Sequence, residues 1–488
     1  MYGGEAIRYS RVLLITPPVK VDLGAIRPSI GLGYISEILT QNGIEHEVLD
    51  MLLGYSWRDL DENIRRFKPD LIGVSLFSNR YKAAYAILEA VKKEYPDITV
   101  VAGGPHVSCL RTEVLKDCPA VDFGVYLEGE DTIMDLCKGV PPGQIPNLIY
   151  RDGRRIIMSA SDSYIADLDL LPFPKYERFE VHKYILEKSL ITSRGCAFNC
   201  TYCAVKLTSG QKVRLRSPQN VVDEMQYWYE KGVRQFSFQD DNFTVSKNRV
   251  LAVCNEIERR GLTGLFLRCA GARADRLDRE VLRRMRNVGF QTIAIGVEVG
   301  NDRMLKLIKK GESFATIDNA VRLACEAGFD VYLNFLAGVP YETLADVEDS
   351  VAFAMKYPIF YAAWSNIIPY PGTDLYKWVK DNDCFIKPPE EYLNEESTTS
   401  LKPVFETPEL PHKERVKLLR RLKGVRSEVF RRAVLRRLEE RGVPSPIRQL
   451  VARLSSQQGF MNLLFHKRLR RIADGLRFML YLKSKPRG

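Results

Sequence analysis

The stretch Ile191-Thr192-Ser193-Arg194-Gly195-Cys196-Ala197-Phe198-Asn199-Cys200-Thr201-Tyr202-Cys203 sets three cysteines at C-x3-C-x2-C spacing, directly behind the apolar run Ser189-Leu190-Ile191-Thr192. The run predicts a strand. Gly195 and Asn199 give the backbone after it the freedom to turn tightly. Three thiolates on one short loop can converge on one metal centre. A structural zinc closes with four ligands, and a fully ligated four-iron cluster takes four cysteines. Three leave one metal position open for a small molecule, which is a catalytic arrangement rather than a structural one.

Two plainer readings compete with that one. The loop could hold zinc with a distant fourth ligand, against which the four-ligand rule stands. The cysteines could be paired as disulfides. Ten of them are scattered over 488 residues, however, behind a start, Met1-Tyr2-Gly3-Gly4-Glu5, without the charged and apolar regions of a signal peptide. That usage fits a reducing cytosol, so a cytoplasmic location is expected. The loop resembles the signature of the radical S-adenosylmethionine (radical SAM) superfamily, in which an aromatic residue precedes the last cysteine; Tyr202 fills that place. The resemblance implies a 4Fe-4S cluster on Cys196, Cys200 and Cys203. It implies S-adenosylmethionine on the fourth iron through its amino and carboxylate groups, with Tyr202 as a wall beside it.

A length of 488 residues predicts two or three domains, and 45% hydrophobic residues suffice for real cores. No run of 18 apolar residues occurs, so no transmembrane helix is expected. The net charge of +11 is uneven. Residues 411–488 hold 22 Lys and Arg against 5 Asp and Glu, a charge of +17 that leaves −6 on residues 1–410.

Residues 1–145 alternate apolar strands with helices. Strands are expected at Arg11–Thr16, Glu45–Asp50, Asp70–Ser75, Thr99–Gly104 and Asp122–Tyr126, and helices at Gly31–Leu39, Trp57–Phe67 and Lys82–Glu94. Continuous apolar strands with crossover helices predict a doubly wound, Rossmann-like parallel sheet that binds ligands beyond its strand C-termini. The layout resembles the cobalamin-binding domain that precedes the radical core in one large subfamily. Pro17-Pro18, Gly31-Leu32-Gly33-Tyr34, Gly103-Gly104-Pro105-His106 and Glu128-Gly129 carry that resemblance. It implies cobalamin contacts from Pro17, Ser75, Gly103, Gly104, His106, Glu128 and Gly129. Cobalamin mutases carry Asp-x-His-x-x-Gly to place histidine under the cobalt. That motif is missing here, so His106 is expected beside the corrin or its nucleotide tail. The fold alone would equally allow another ligand, although not a nicotinamide, since G-x-G-x-x-G is absent after the first strand.

Residues 146–188 read as a linker with a hairpin turning at Asp152-Gly153, followed by Leu171-Pro172-Phe173-Pro174. Similar leucine–proline steps join the two domains in the resembled subfamily. From 189 to about 385 strand–helix alternation resumes, with about six units, which resembles the partial (β/α)6 barrel of the superfamily. Its active residues should lie on loops at strand C-termini. The resemblance implies that Asp240 and Asp241 receive the amino group of S-adenosylmethionine and that Arg273 lies near its carboxylate. It places Glu298 at the ribose, and Gly338 and Pro340 against the adenine.

Residues 386–488 form a basic helical region, with helices expected from Lys413 onward and over Phe465–Leu482. A helical cap with a solvated basic face is one reading. Peripheral attachment to an anionic membrane is another. Nucleic acid ranks third, since no recognised binding motif is present. Together the resemblances imply reductive cleavage of S-adenosylmethionine to a 5′-deoxyadenosyl radical, with methylation of an unactivated carbon of a small molecule, a hydrophobic one under the membrane reading of the tail. An electron donor such as flavodoxin or ferredoxin would serve it. Cobalamin-dependent oxidation or cyclisation is the first alternative, and an RNA-modifying methylthiotransferase the second.

Overall fold

The computed structural model describes residues 9–18, 26–395 and 398–455. In its first sheet β1 (Arg11–Thr16), β2 (Glu45–Asp50), β3 (Leu71–Ser75), β4 (Thr99–Gly103) and β5 (Phe123–Val125) run parallel in the order β2-β1-β3-β4-β5. The inner strands β1, β3 and β4 carry nearly unbroken buried runs rather than alternation, as strands of a sheet covered on both faces do. Leu13, Leu14 and Ile15 are wholly buried; each such side chain contributes about 1.5–3 kcal/mol by leaving water. Local chemistry sets the helix ends. Ser29 accepts from Leu32 N to open Ile30–Gln41, and Ser56 with Asp59 forms a capping box for Trp57–Phe67.

The hairpin expected within the linker 146–188 is hydrogen-bonded to this sheet. β6 (Leu148–Asp152) pairs antiparallel with β5, and β7 (Arg155–Met158) with β6. It turns at Gly153, whose φ is 59°. The sheet therefore continues to Met158, and the hairpin takes up the edge that β5 would otherwise leave open.

The second sheet begins at β8 (Lys188–Leu190). A short antiparallel pair, β9 (Ser193–Arg194) and β10 (Arg214–Leu215), follows outside it. The sheet continues with β11 (Gln235–Phe238), β12 (Phe266–Ala272), β13 (Phe290–Glu298), β14 (Asp330–Ala337) and β15 (Tyr361–Asn366). The six strands are parallel in the order β15-β14-β13-β12-β11-β8, the open barrel the sequence predicts. Ser217, Asp278 and Thr343 cap the helices behind them. The β9–β10 pair, at two residues a strand, was too short for periodicity to reveal, as were the short helices Pro105–Leu110 and Asp302–Leu307.

The basic region opens with the helix His412–Glu440, which packs along β15, the terminal strand of the barrel. Leu418, Leu419, Leu422, Val429 and Val434 are buried, and Phe430 meets Phe360 and Tyr361 edge-on. Arg415 and Arg437 are buried as well, Arg437 against Asp330 at the start of β14. One face of this helix is thus buried against the barrel, while Lys413, Lys417, Arg420, Arg421 and Lys423 are exposed. No helix of the described residues is long and apolar enough to cross a membrane. The helix expected over Phe465–Leu482 lies outside the described residues.

The two glycines of Gly31-Leu32-Gly33-Tyr34 do different work. A methyl on Gly33 would meet Tyr176 Cε1 at 2.6 Å and Pro174 Cβ at 2.9 Å, whereas one on Gly31 would meet nothing within 4 Å. Gly33→Ala is therefore expected to destabilise the first domain by about 1–3 kcal/mol through overpacking against the linker. Thermal unfolding followed by circular dichroism checks this, with Gly31→Ala not lowering the midpoint.

Candidate active site

The cysteine loop is closed at its neck. Arg194 pairs with Arg214 across β9 and β10, and Cys196 N donates to Gly210 O at 3.1 Å. Gly195, at φ 87°, sits in that neck, where a methyl would fall on the carbonyl of Lys212. The far side is tied to the barrel: Thr201 N donates to Ile308 O (3.1 Å) and Leu375 N to Thr201 O (2.9 Å). The three cysteines are half-buried, and Cys203 feels the charge of both Cys200 and Cys196. Burial pushes the Cys203 thiol up to about 11. It also raises Cys200, against which the cations of Lys310 and Arg273 pull down.

Among the described residues no three His, Cys, Asp or Glu side chains converge at single-ion distances. Three separated thiols sharing one loop suit a multi-iron cluster, each iron taking one sulfur and one iron left without.

Around the loop several expected residues come together. The Tyr202 hydroxyl lies near Glu298, and burial together with that carboxylate's charge holds the phenol well above its usual value. Glu298 stands at φ 69°, at a register shift between β13 and β14. A left-handed glutamate carries on the order of 1–3 kcal/mol of strain. Its carboxylate folds back over Gly296, where a side chain would collide with it, and lies 3.3 Å from Lys310 Nζ. Lys310 is buried; burial lowers its pKa, but Glu298 and Glu312 more than offset this and hold it above the usual lysine value.

Arg273 differs from expectation. Its guanidinium lies 3.4 Å from the Phe198 ring centroid and donates to Lys310 O (3.0 Å), Gly311 O (3.4 Å) and Asp275 (3.2 Å). It clamps the cysteine loop to the sheet instead of standing free for a carboxylate. Asp240 is likewise engaged, accepting from Thr192 N (2.8 Å), Thr192 Oγ1 and Ser193 Oγ (2.6 Å). Its neighbour Asp241 is the one open to the cavity described next. Enclosure there and the charge of Asp240 push its carboxyl up to about 6.

A cavity of about 420 Å³ lies between the two sheets' C-terminal ends. Leu14, Gly31, Ser75, Gly103, Gly104, Leu127 and Gly129 form its first wall, and Ile191, Arg194, Ser209, Gln239 and Asp241 its second. The first wall belongs where the strand order reverses around β1 and β3, as doubly wound sheets predict. At Gly31 a methyl would project into empty space, and the wall is largely glycine and aliphatic. It contains no histidine or cysteine. A broad apolar ring that brings its own metal ligands fits such a wall, and cobalamin is one.

Pro17 and His106 are not on this wall. His106 is fully buried, stacked on Tyr81 at 4.6 Å, with Nε2 bonded to Tyr85 (3.0 Å) and Nδ1 to Ser78 (3.0 Å). Burial lowers its pKa to about 4. Both ring nitrogens are engaged, so it props the wall from behind.

Glu128, expected to touch the cofactor, lines the cavity but directs its carboxylate to two arginines of the cysteine-loop neck. Arg194 donates to Glu128 Oε1 (3.0 Å) and Glu130 Oε1 (2.5 Å), and Arg214 to Glu128 Oε2 (2.6 Å). All four side chains are at most 15% exposed. Burial raises the Glu128 carboxyl, and Arg214 and Arg194 more than reverse that. Neither arginine was legible as functional, because Glu128 lies 66 and 86 positions away along the chain.

Removing one partner of a buried pair strands the other charge, at about 3–5 kcal/mol. Glu128→Gln is expected to lower the thermal midpoint and to expose the linker to limited proteolysis. Glu62→Gln, in an exposed helical pair with Arg58, is expected to do neither.

Residues 18–137 match the family model of the B12 binding domain, and residues 190–354 that of the Radical SAM superfamily. An uncharacterized methyltransferase of Pyrococcus horikoshii is 29% identical over 431 residues, spanning 85% of this chain and 92% of that one. The anaerobic magnesium-protoporphyrin IX monomethyl ester cyclase of Cereibacter sphaeroides is 26% identical, over 72% of this chain and 60% of its own length. Among solved structures, the cobalamin-dependent S-adenosylmethionine radical enzyme OxsB, with aqua-cobalamin and S-adenosylmethionine bound, aligns with a TM-score of 0.74 at 16% identity. That alignment covers 96% of this chain and 75% of OxsB, a likeness of fold. Apart from Leu14, the cavity's two walls fall within the two matched domains, so the chain carries a B12 binding domain followed by a radical SAM domain, with a 4Fe-4S cluster, S-adenosylmethionine and cobalamin as cofactors.

Proposed function

We propose that this chain methylates an unactivated carbon of a small molecule. One observation carries the reading. The cavity of the B12-type domain shares its wall with the cysteine loop, since Arg194 lines the cavity two residues before Cys196. A methyl carrier and a radical source would therefore face the same space. When bound, the cluster supplies the electron that splits S-adenosylmethionine, and cobalamin carries the methyl group.

The chain's own residues bind, orient and exclude water. Cys196, Cys200 and Cys203 are the ligands of the iron. Lys310 and Arg273 set two positive charges beside Cys200 and favour its thiolate form. Asp241 presents a carboxylate for the ammonium of S-adenosylmethionine, with Asp240 fixing the backbone behind it. Glu298 and Tyr202 offer acceptor and donor to the ribose hydroxyls. Gly31 leaves room for a flat ring. A reduced flavodoxin- or ferredoxin-type protein would supply the electrons.

The 26% identical cyclase favours a second reading, in which the same machinery closes a ring without methyl transfer. Products separate the two. Methylation yields 5′-deoxyadenosine, methionine and S-adenosylhomocysteine; cyclisation yields no S-adenosylhomocysteine. In anaerobic incubations with a chemical reductant the wild type is expected to give all three products and to contain about four irons and one cobalt per chain. Cys200→Ala is expected to lose the iron and all three products. Four irons without cobalt would remove cobalamin from the reaction.

Asp241 gives a pH test. Its carboxyl ionises at about 6, so the cofactor's ammonium meets a neutral acid below that pH and an anion above it. Affinity for S-adenosylmethionine, measured by equilibrium dialysis, is expected to rise between pH 5 and 7. In Asp241→Asn it should be weaker and flat across that range.

A further inference from the structure

The helix His412–Glu440 reaches the rim of the barrel with its first turn. Arg415 there has no exposed surface. Its Nη2 donates to Ala337 O (3.2 Å) and Asn366 Oδ1 (3.3 Å), the last residues of β14 and β15. Its Nη1 donates to Phe405 O (3.0 Å), and the guanidinium lies 4.3 Å from the Phe405 ring centroid. Gly338 follows β14 at φ 88°, and a methyl on it would fall on that guanidinium. On the other side the turn folds onto Glu342, 1% exposed, which accepts from Gly338 N (2.6 Å) and Val339 N (3.3 Å). The turn 338–342 is thus held between a buried guanidinium supplied by the tail and a buried carboxyl group of its own.

Packing alone does not account for the arginine. Desolvating a guanidinium costs several kcal/mol, and an apolar side chain of similar volume is often as stable or more so. Among the described residues Arg415 Nε has no acceptor. What the arginine provides, and methionine would not, is a fixed relation between the ends of β14 and β15 and the glycine between them.

We propose that Arg415 is a positioning residue for S-adenosylmethionine, and that the first turn of the tail helix completes the binding chamber by setting the turn Gly338–Glu342. This rests on the resemblance that sets Gly338 and Pro340 against the adenine of the cofactor. The tail is then part of the enzyme core, and its charge has a use inside the fold.

The test uses the full chain loaded with iron and cobalamin. Binding of radiolabelled S-adenosylmethionine is measured by equilibrium dialysis for wild type, Arg415→Met, Arg415→Lys and Gly338→Ala, alongside iron and cobalt content and the thermal midpoint. Arg415→Met is expected to weaken binding about ten-fold or more, as misplaced binding groups do, with iron and cobalt unchanged. Arg415→Lys, which keeps the charge and one donor direction, recovers part of the loss. A purely structural role would lower the midpoint and leave the affinity alone, and that result overturns the proposal. If Gly338→Ala binds normally, the assignment of the turn fails; if it binds weakly while Arg415→Met binds normally, only the role of Arg415 fails. Should Arg415→Met not load iron, Asn366→Ala replaces it, because it removes the side-chain acceptor that ties Arg415 to the end of β15. Unchanged affinity there overturns the proposal as well.

Discussion

Two carboxylates and two guanidiniums, Glu128 and Glu130 with Arg194 and Arg214, join the halves of this molecule. Each half has its own hydrogen-bonded sheet and helices. Neither holds a complete site. The cavity exists only where the C-terminal ends of both sheets face each other, and the ion network fixes that facing. It is suited to the task because a buried pair of this kind discriminates sharply between one register and any other. A wrong register would leave two carboxylates or two guanidiniums without partners in a medium that cannot solvate them. Apolar contact tolerates sliding; a two-pronged ion network does not. Arg194 is both a wall of the cavity and the entrance to the cysteine loop, so the register of the domains is also the register of cavity to cysteines.

The same logic of opposed costs runs through the loop itself. The thiols are half-buried, which holds Cys200 and Cys203 in their protonated form, and the chain sets Lys310 and Arg273 nearby against that tendency. Lys310 in turn is buried, and Glu298 and Glu312 maintain its charge. Glu298 reaches it from a left-handed backbone over a glycine that leaves room. Strain, burial and charge are concentrated within a few residues of the cysteines, where they are sustained by the surrounding rigid sheet.

The sequence disclosed what depends on neighbours in the chain. The apolar runs of β1, β3 and β4 and the cysteine spacing are local patterns, and the alternation of strands with helices follows from them. It disclosed poorly which way a side chain faces. Asp240 and Asp241 are adjacent and chemically identical, yet one is bound into Thr192 and Ser193 and the other faces the cavity. His106 follows a glycine–proline loop at the correct sheet edge, but the loop turns it inward onto Tyr81 and Tyr85. Gly33 and Gly31 are two residues apart, and only contact with Tyr176 tells them apart. Pairs such as Glu128 with Arg214, or Ala337 with Arg415, are separated by 86 and 78 positions, where no periodicity connects them.

The basic tail shows why composition misleads about place. A charge of +17 over residues 411–488 suggests a surface, because isolated buried charges are costly and most basic runs are solvated. Yet the first helix of that run brings Arg415 to the end of β14 and Arg437 to its beginning, beside Asp330. The helix rises about 33 Å over the 22 residues between them, longer than the strand it accompanies, and the long arginine side chains bridge the difference. β15 would otherwise be an edge open to other chains. An apolar helix could cover that edge. One with arginines near its two ends also fixes the helix lengthwise, so that its first turn always meets the same glycine at the rim of the site.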